Sequence, residues 1–312
     1  MKSQFGIFLK KLTAFLLIVF VVDFSLGKVL EHFYEEIDIP TPEQHTTFSI
    51  EHADTDIMVF GSSRAQHHYD PESFDDLPNT SFYNTGKDGQ GILYSWAVLK
   101  SVLHRKKDSG ILILDLNINE FDKSQDSYDR LSELLPHYTE HEEIQDIVNL
   151  KSPFEEIKAI SYLYRYNSKV LTIIKDNLFP KKDNMEKGYE PIPVVRRNLQ
   201  LTVFEDAEAI DSLEVAAFVG FLKDAKAADQ KVYVFVSPSY RQYLEEPQTI
   251  RIARDICREL NVPFISFHQD SLFLRNANYF DDPTHLNEAG AEIYSDKVLN
   301  IIKKEKILNS SS

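Results

Sequence analysis

Hydrophobic and polar positions divide this chain into three regimes. Residues Leu12 to Val22 form an unbroken apolar run (Leu-Thr-Ala-Phe-Leu-Leu-Ile-Val-Phe-Val-Val), interrupted at Asp23 and resumed to Leu30. From Asp56 onward, short apolar runs alternate with stretches of helical spacing. Asp56 to Phe60, Ser81 to Asn84, Gly110 to Asn117, Lys231 to Pro238 and Val262 to Phe267 read as five strands. The near-continuous apolar character of Gly110-Ile-Leu-Ile-Leu-Asp-Leu-Asn117 suits a parallel strand covered on both faces. Ile92 to Arg105, 206–228, Thr249 to Leu260 and Asn287 to Lys304 carry helical spacing, and Asn287 is placed to cap the last of these ahead of Glu288.

Strands separated by helices predict right-handed crossovers and an α/β fold, a parallel sheet of about five strands in a three-layer sandwich. The alternation stops at about 121–205, where the chain is charged and tyrosine-rich, with helical patches over Glu142 to Leu150 and Phe154 to Lys175. Pro180 to Asn184 and Gly188 to Pro193 read as loops. Because the strand pattern resumes afterwards, this segment is read as a helical insertion. The expected organisation is therefore an N-terminal segment 1–30, a polar, Pro-bearing stalk 31–54, and a domain 55–312 containing the insertion.

The N-terminal run decides location. Phe5 to Leu30 is long enough for a bilayer that needs roughly 20 residues. No small-x-small cleavage site follows, and no cysteine lies nearby to accept a lipid. An uncleaved transmembrane anchor is the expectation, ahead of a cleaved signal peptide and of a buried core helix. Lys2, Lys10 and Lys11 before the run would hold the N-terminus inside and put the rest of the chain outside the cytoplasm.

Composition narrows the classes. The chain has 312 residues, 43% hydrophobic and 12% aromatic, ample for a packed core. Lys+Arg 34 against Asp+Glu 49 gives a net charge of -15, which disfavours nucleic acid as a partner. The single cysteine, Cys257, permits neither an internal disulfide nor a cysteine-based metal site.

Two short stretches, about 220 residues apart, carry candidate chemistry. Gly61-Ser-Ser-Arg64 ends the first strand, and Asp282-Pro-Thr-His285 precedes the last helix. A hydroxyl, an imidazole and a carboxylate are the parts of a Ser-His-Asp hydrolase or acyltransferase. Ser63 is the candidate nucleophile, with Ser62 the alternative. His285 is the candidate base and Asp282 its orienting acid, with Asp281 as competitor. Gly89 and Asn117 are candidate oxyanion donors beside the Ser63 amide, with Gly86 and Asn119 as alternatives. Arg64 is read as a structural ion pair. His67, His68 and Asp70 do not make a metal set, because adjacent histidines point apart on regular structure. Gly86, Gly89 and Gly91 lack the dinucleotide-binding spacing. No cofactor and no metal is expected.

These blocks resemble the SGNH/GDSL hydrolase superfamily. Phe60-Gly-Ser-Ser-Arg64 is similar to its first block, with Ser62 in place of the usual Asp. Asn84-Thr-Gly-Lys-Asp-Gly89 resembles the second block and Leu114-Asp-Leu-Asn117 the third, without the usual Gly-x-Asn-Asp. Asp282-Pro-Thr-His285 matches the fifth. The Gly-Ser-Ser variant resembles envelope members, among them D-alanyl-transfer proteins and partners of membrane-bound O-acyltransferases. The Gly-x-Ser-x-Gly elbow of ordinary α/β-hydrolases is also close to Gly61-Ser-Ser-Arg-Ala65, but Asp and His sharing one loop favours SGNH. The resemblance implies a serine esterase or O-acyltransferase in the bacterial cytoplasmic membrane, its domain facing the periplasm or exterior. Its substrate would be an acylated glycan or small acyl ester, and a polytopic O-acyltransferase a possible partner. A non-catalytic accessory or glycan-binding subunit is the competing expectation. A cytosolic lipid esterase would require 12–30 to be core.

Overall fold

The computed structural model describes residues 2–37, 41, 44–106, 108–179, 185–195, 198–206 and 209–310. Among the described residues are seven strands: β1 (Ile57–Gly61), β2 (Phe82–Asn84), β3 (Ile111–Asp115), β4 (Thr202–Val203), β5 (Lys231–Val236), β6 (Arg241–Gln242) and β7 (Phe264–Ser266). Five of them form one parallel sheet in the order β2-β1-β3-β5-β7, and β4 pairs with β6 in a separate two-stranded ribbon. The five expected strands are thus the five of the main sheet, and the α/β reading holds.

Strand periodicity sorts the core into two layers. Met58, Phe60, Leu112, Leu114, Val232 and Val234 face one side, beneath the helices Ile92–Arg105, Ser212–Ala227 and Gln248–Glu259. Ile57, Val59, Ile111, Ile113, Tyr233 and Phe235 face the other, against Tyr69 and the helix Glu288–Ser310. Every residue of β1 and β3 is buried, as a strand covered on both faces requires. Asn287 caps the last helix, its Oδ1 accepting from the Gly290 amide at 3.2 Å.

The sheet order reverses direction between β1 and β3, so the crevice beyond their carboxyl ends is where a doubly wound sheet places a ligand. Ser63, Asn117 and Asn119 all follow those two strand ends.

Three expectations change in detail. Within the stalk expected at 31–54, described residues form helix: the N-terminal helix runs Lys2–Glu35, and a second helix, His45–Glu51, docks on the domain. Ile50 and Ala53 join the core, and His45 Nε2 bonds the Asn84 carbonyl at 2.7 Å, because His45, Thr46, Ser49 and Ile50 fall on one face of the helix. Phe154 to Lys175 is broken into the helices Glu155–Lys158 and Tyr162–Tyr166, a 3₁₀ turn Asn167–Lys169, and a helix Val170–Leu178. The helix expected over 206–228 begins only at Ser212, capped by Asp211. The loop expected at 180–184 lies outside the described residues, as do Pro40 and Pro42 of the expected stalk.

Among the described residues, one helix, Gln4–Glu35, is long and apolar enough to cross a membrane, and no residue of its most apolar stretch is buried.

Candidate active site

Glycine makes the turn after β1. Gly61 has φ +146°, and a Cβ there would lie 2.6 Å from the Asp115 carbonyl oxygen and 2.9 Å from the Ala65 Cβ. Only a residue without a side chain can turn this close to β3. Ser62 then runs extended and the helix Ser63–His68 begins. The two serines therefore face different surroundings. The Ser62 hydroxyl is buried with no hydrogen-bond partner, whereas Ser63 Oγ lies 2.8 Å from His285 Nε2.

His285 comes from a loop whose base is closed by an isolated antiparallel bridge, Phe280 to Leu286. Within the loop, the Asp281 amide donates to the His285 carbonyl at 3.0 Å and the Tyr240 amide to the Pro283 carbonyl at 2.8 Å. Asp282 is the loop's organiser. Its Oδ1 accepts from the Thr284 amide (2.7 Å), the Thr284 hydroxyl (2.8 Å) and the His285 amide (2.9 Å). Its Oδ2 lies 2.8 Å from His285 Nδ1. Partial burial pushes the Asp282 carboxyl up, but the bonds from His285 and Thr284 outweigh it and hold the group well below the usual carboxylate range. An ionised Asp282 accepts the Nδ1 proton, which leaves Nε2 free to accept from Ser63.

Ser63, His285 and Asp282 are thus joined by two hydrogen bonds across 222 residues of sequence. Such a chain can take a proton from a serine hydroxyl as its oxygen attacks, and return it to a leaving group.

The helix Ser63–His68 also anchors the loop from behind. His68 is fully buried, its Nε2 accepting from the Leu286 amide at 2.8 Å and its Nδ1 lying 3.0 Å from Ser237 Oγ. Because Nε2 accepts, the proton sits on Nδ1 and is donated to Ser237, whose hydroxyl donates to Asp115 Oδ1 at 3.2 Å. Burial, then the His285 and Arg64 charges, push the His68 imidazole well below its ordinary pKa, so it stays neutral. Asp115 also accepts from the Tyr69 hydroxyl (2.8 Å), and Arg64 Nε lies 3.7 Å from its Oδ1. Arg64 Nη2 donates to the Leu116 carbonyl at 2.7 Å, so this guanidinium joins β3 to the nucleophile helix. His67 is held apart from His68, its Nδ1 on the Glu190 carbonyl (2.6 Å) and its Nε2 on Asp88 (3.0 Å).

Ser63 and His285 open on a cleft of about 230 Å³, lined also by Arg64, Asn117, Asn119, Ser239, Arg241 and Tyr243. A second cleft shares Asn117 and Asn119 with it and contains Gly89 and Arg130. Asn117 and Asn119 therefore line the same cleft as the serine, while Gly89 lies in the adjoining one. Gly89 has φ +72°, with the Arg130 guanidinium against it. Gly86 is closed off: its amide donates to Asn84 Oδ1 at 2.9 Å, and a Cβ there would lie 2.5 Å from that of Ala65. Sequence reasoning missed Ser239, Arg241 and Tyr243. The one signal for them was their place just beyond the carboxyl end of β5, next to Ser237-Pro238.

Among the described residues, one group could bring three metal ligands together, Glu51, His137 and His141. There His141 sits between Glu51 (2.6 Å) and Glu143 (2.8 Å), which is an imidazole between two carboxylates and satisfies both. None of the three lines the Ser63 cleft.

No protein-family model and no curated protein matches the chain. Among solved structures, a protein from Bacteroides fragilis NCTC 9343, described as a proposed acylhydrolase, is similar at 11% identity over 86% of this chain and 99% of that one, with a TM-score of 0.41. A likeness this loose carries no argument about activity.

Proposed function

We propose that this chain is a membrane-anchored, extracytoplasmic serine esterase or O-acyltransferase of SGNH type, acting on acylated cell-envelope glycans. The observation that carries the reading is the continuous Ser63–His285–Asp282 hydrogen-bond chain at the mouth of a cleft beyond β1 and β3.

In the proposed reaction, Ser63 Oγ attacks the ester carbonyl carbon while His285 Nε2 accepts the hydroxyl proton. The carbonyl π pair moves onto oxygen, where the Ser63 amide and the Asn117 side-chain NH2 stabilise it, with Gly89 as a further donor reaching from the adjoining cleft. The intermediate collapses by expelling the sugar alkoxide, which takes the proton from His285, leaving acyl-Ser63. Water or a second sugar hydroxyl then attacks the acyl carbon, losing its proton to His285; the acyl–Oγ bond breaks, His285 returns the proton to Ser63 Oγ, and the acid or the acylated sugar leaves. Asp282 remains ionised throughout and stabilises the imidazolium.

The size and lining of the cleft support a short acyl group and a polar acceptor. About 230 Å³ is below the range of drug-sized pockets, and Arg64, Asn119, Ser239, Arg241 and Tyr243 offer donors to hydroxyl-bearing substrate. The apolar N-terminal helix supports membrane attachment beside nascent envelope polymer.

The test is turnover of a chromogenic acetyl ester by full-length protein in detergent, with Ser63→Ala and His285→Ala beside it. The reading requires both variants to be inactive and a fluorophosphonate probe to label wild type once, at Ser63. Equal rates in all three proteins would sink it. Failure of the probe to react, with the fold intact, would favour the accessory-subunit alternative.

A further inference from the structure

The segment Phe154–Ile160 is amphipathic the wrong way round for a surface in water. One of its charges, Glu155, faces in, while Glu156 stays exposed. Glu155 is 1% exposed, and its carboxylate receives the Ser152 hydroxyl (2.7 Å), the Lys158 ammonium (3.1 Å) and the Tyr164 hydroxyl. Its apolar side faces out, with Phe154 64%, Ile157 66% and Ile160 72% exposed at a spacing of three. An ordinary surface helix turns its charges to solvent and its apolar stripe to the core. Further exposed apolar side chains lie on the helix Val170–Leu178, where Leu171 and Leu178 are 82% and 66% exposed.

This inverted segment is fixed to the apolar N-terminal helix. Asp23, the acid that interrupts the apolar run, accepts from the Tyr162 amide (2.9 Å), the Leu163 amide (3.3 Å) and the Ser161 hydroxyl. It thereby caps the start of the helix Tyr162–Tyr166. One turn later Gly27 permits close approach, since a Cβ there would lie 2.3 Å from that of Tyr162. The Phe24 and Tyr162 rings meet edge to face at 4.9 Å. Further along, Asn177 Nδ2 donates to the Phe33 carbonyl at 2.8 Å.

Charge sets the register of this assembly against a bilayer. Lys10 and Lys11 end the basic flank. A hydrocarbon core needing roughly 20 residues, counted from Leu12, reaches its far boundary near Glu31. Asp23 then lies about eight residues, or roughly 12 Å, inside that boundary. A carboxylate at that depth needs internal partners, and Ser161 and the two amides are such partners.

We propose that the Phe154–Ile160 segment enters the outer leaflet beside the anchor helix, Ile157 and Ile160 facing lipid tails and the exposed Glu156 at headgroup level. The occupant of the apolar face is thus lipid. This placement rests on the N-terminal helix spanning the membrane, and it makes the chain monotopic as well as anchored. The reaction site would then be held at a fixed height and orientation by two attachments, not swung on one tether.

The test uses full-length protein in vesicles of phosphatidylcholine and phosphatidylglycerol, with no other protein present. Single cysteines replace Ile157, Ile160, Val19 or Leu244 and carry an environment-sensitive fluorophore; lipids with nitroxides at shallow and deep acyl positions quench it. The native Cys257 is buried, its thiol pushed up to about 12, and takes no label. Labels at Val19 and at Ile160, next to the Asp23 partner Ser161, are expected to lose most of their emission to the deep nitroxide, that at Ile157 to the shallow one, and that at Leu244 to neither. Quenching at Val19 with none at Ile157 and Ile160 would overturn the proposal, assign the patch to a protein partner, and leave the anchor standing. Absence of quenching at Val19 as well would remove the membrane reading with it.

Discussion

Two regions of this chain bury residues by opposite rules. Around the main sheet, apolar side chains mostly go in and charges mostly go out, and four of the buried polar groups (His68, Asp115, Ser237, Arg64) are linked to one another behind the loop that carries His285. In the second half of the insertion, a glutamate goes in and isoleucines go out. The same physics acts in both: each polar group seeks a partner and each apolar group leaves water. The difference is what lies outside. Under the membrane placement proposed above, one region faces water and the other hydrocarbon, and both obey one law with different solvents.

That contrast predicts a separation of effects, activity from the first region and attachment or stability from the second. The largest effect belongs to Ser63→Ala, expected to lower kcat/KM on an acetyl ester by about 10³-fold or more while leaving the melting temperature unchanged. Loss of folding with loss of rate would break the comparison.

His68→Leu comes next. It removes the acceptor for the Leu286 amide but touches no substrate, so kcat is expected to fall by about 10- to 100-fold with KM little changed. His68→Asn, which can still offer a side-chain acceptor, should recover part of the loss. An equal change in KM would argue for a substrate contact instead.

In the insertion, Glu155→Ala leaves Lys158, Tyr164 and Ser152 without their common acceptor. A cost of about 2–3 kcal/mol in unfolding is expected, with ester turnover per folded molecule unchanged. Denaturation in detergent, followed by the kinetics of the folded fraction, checks both halves.

A pH effect sharpens the first region. Burial pushes the Glu214 carboxyl up to about 8, with Glu120 adding to it, and its Oε2 has no partner. A carboxyl raised on folding binds more protons in the native state between its unfolded value near 4.5 and about 8, so stability falls as pH rises through that window. Glu214→Gln is expected to flatten the decline between pH 5 and pH 8 in thermal melts. An unchanged slope would show that Glu214 is not its source.

The smallest effect is that of Asp23→Ala, which removes the acceptor of the Tyr162 and Leu163 amides while the N-cap Ser161 stays, at a cost of about 1 kcal/mol. It should appear as faster amide exchange over Ser161–Tyr164 without altering the rest of the domain.

Much of the fold was legible because strand burial writes itself locally. Val59 and Ile113 lie in runs that only a covered parallel strand explains, and the five runs found are the five strands of the sheet. The 31–54 segment was misread because polarity was taken as exposure. His45, Thr46 and Ser49 are polar and buried, satisfied by partners such as Asn84, Tyr94 and Glu133 that no local window contains. The broken helices after Phe154 were missed for a similar reason: their apolar spacing was helical, but the face it marked was the outer one.

By itself the sequence determined the sheet, the apolar N-terminal helix and the inventory of chemistry: a serine after the first strand, and Asp and His three residues apart before the last helix. These follow from period, composition and spacing, which are properties of neighbours in the chain. Which of two adjacent serines meets the imidazole, which glycine stays open, and which face of the insertion turns outward were decided only in three dimensions. Each depends on contacts between residues tens to hundreds of positions apart: Gly61 against Asp115, Gly86 against Ala65, Ser63 against His285, Asp23 against Tyr162. Only the packed chain specifies those distances.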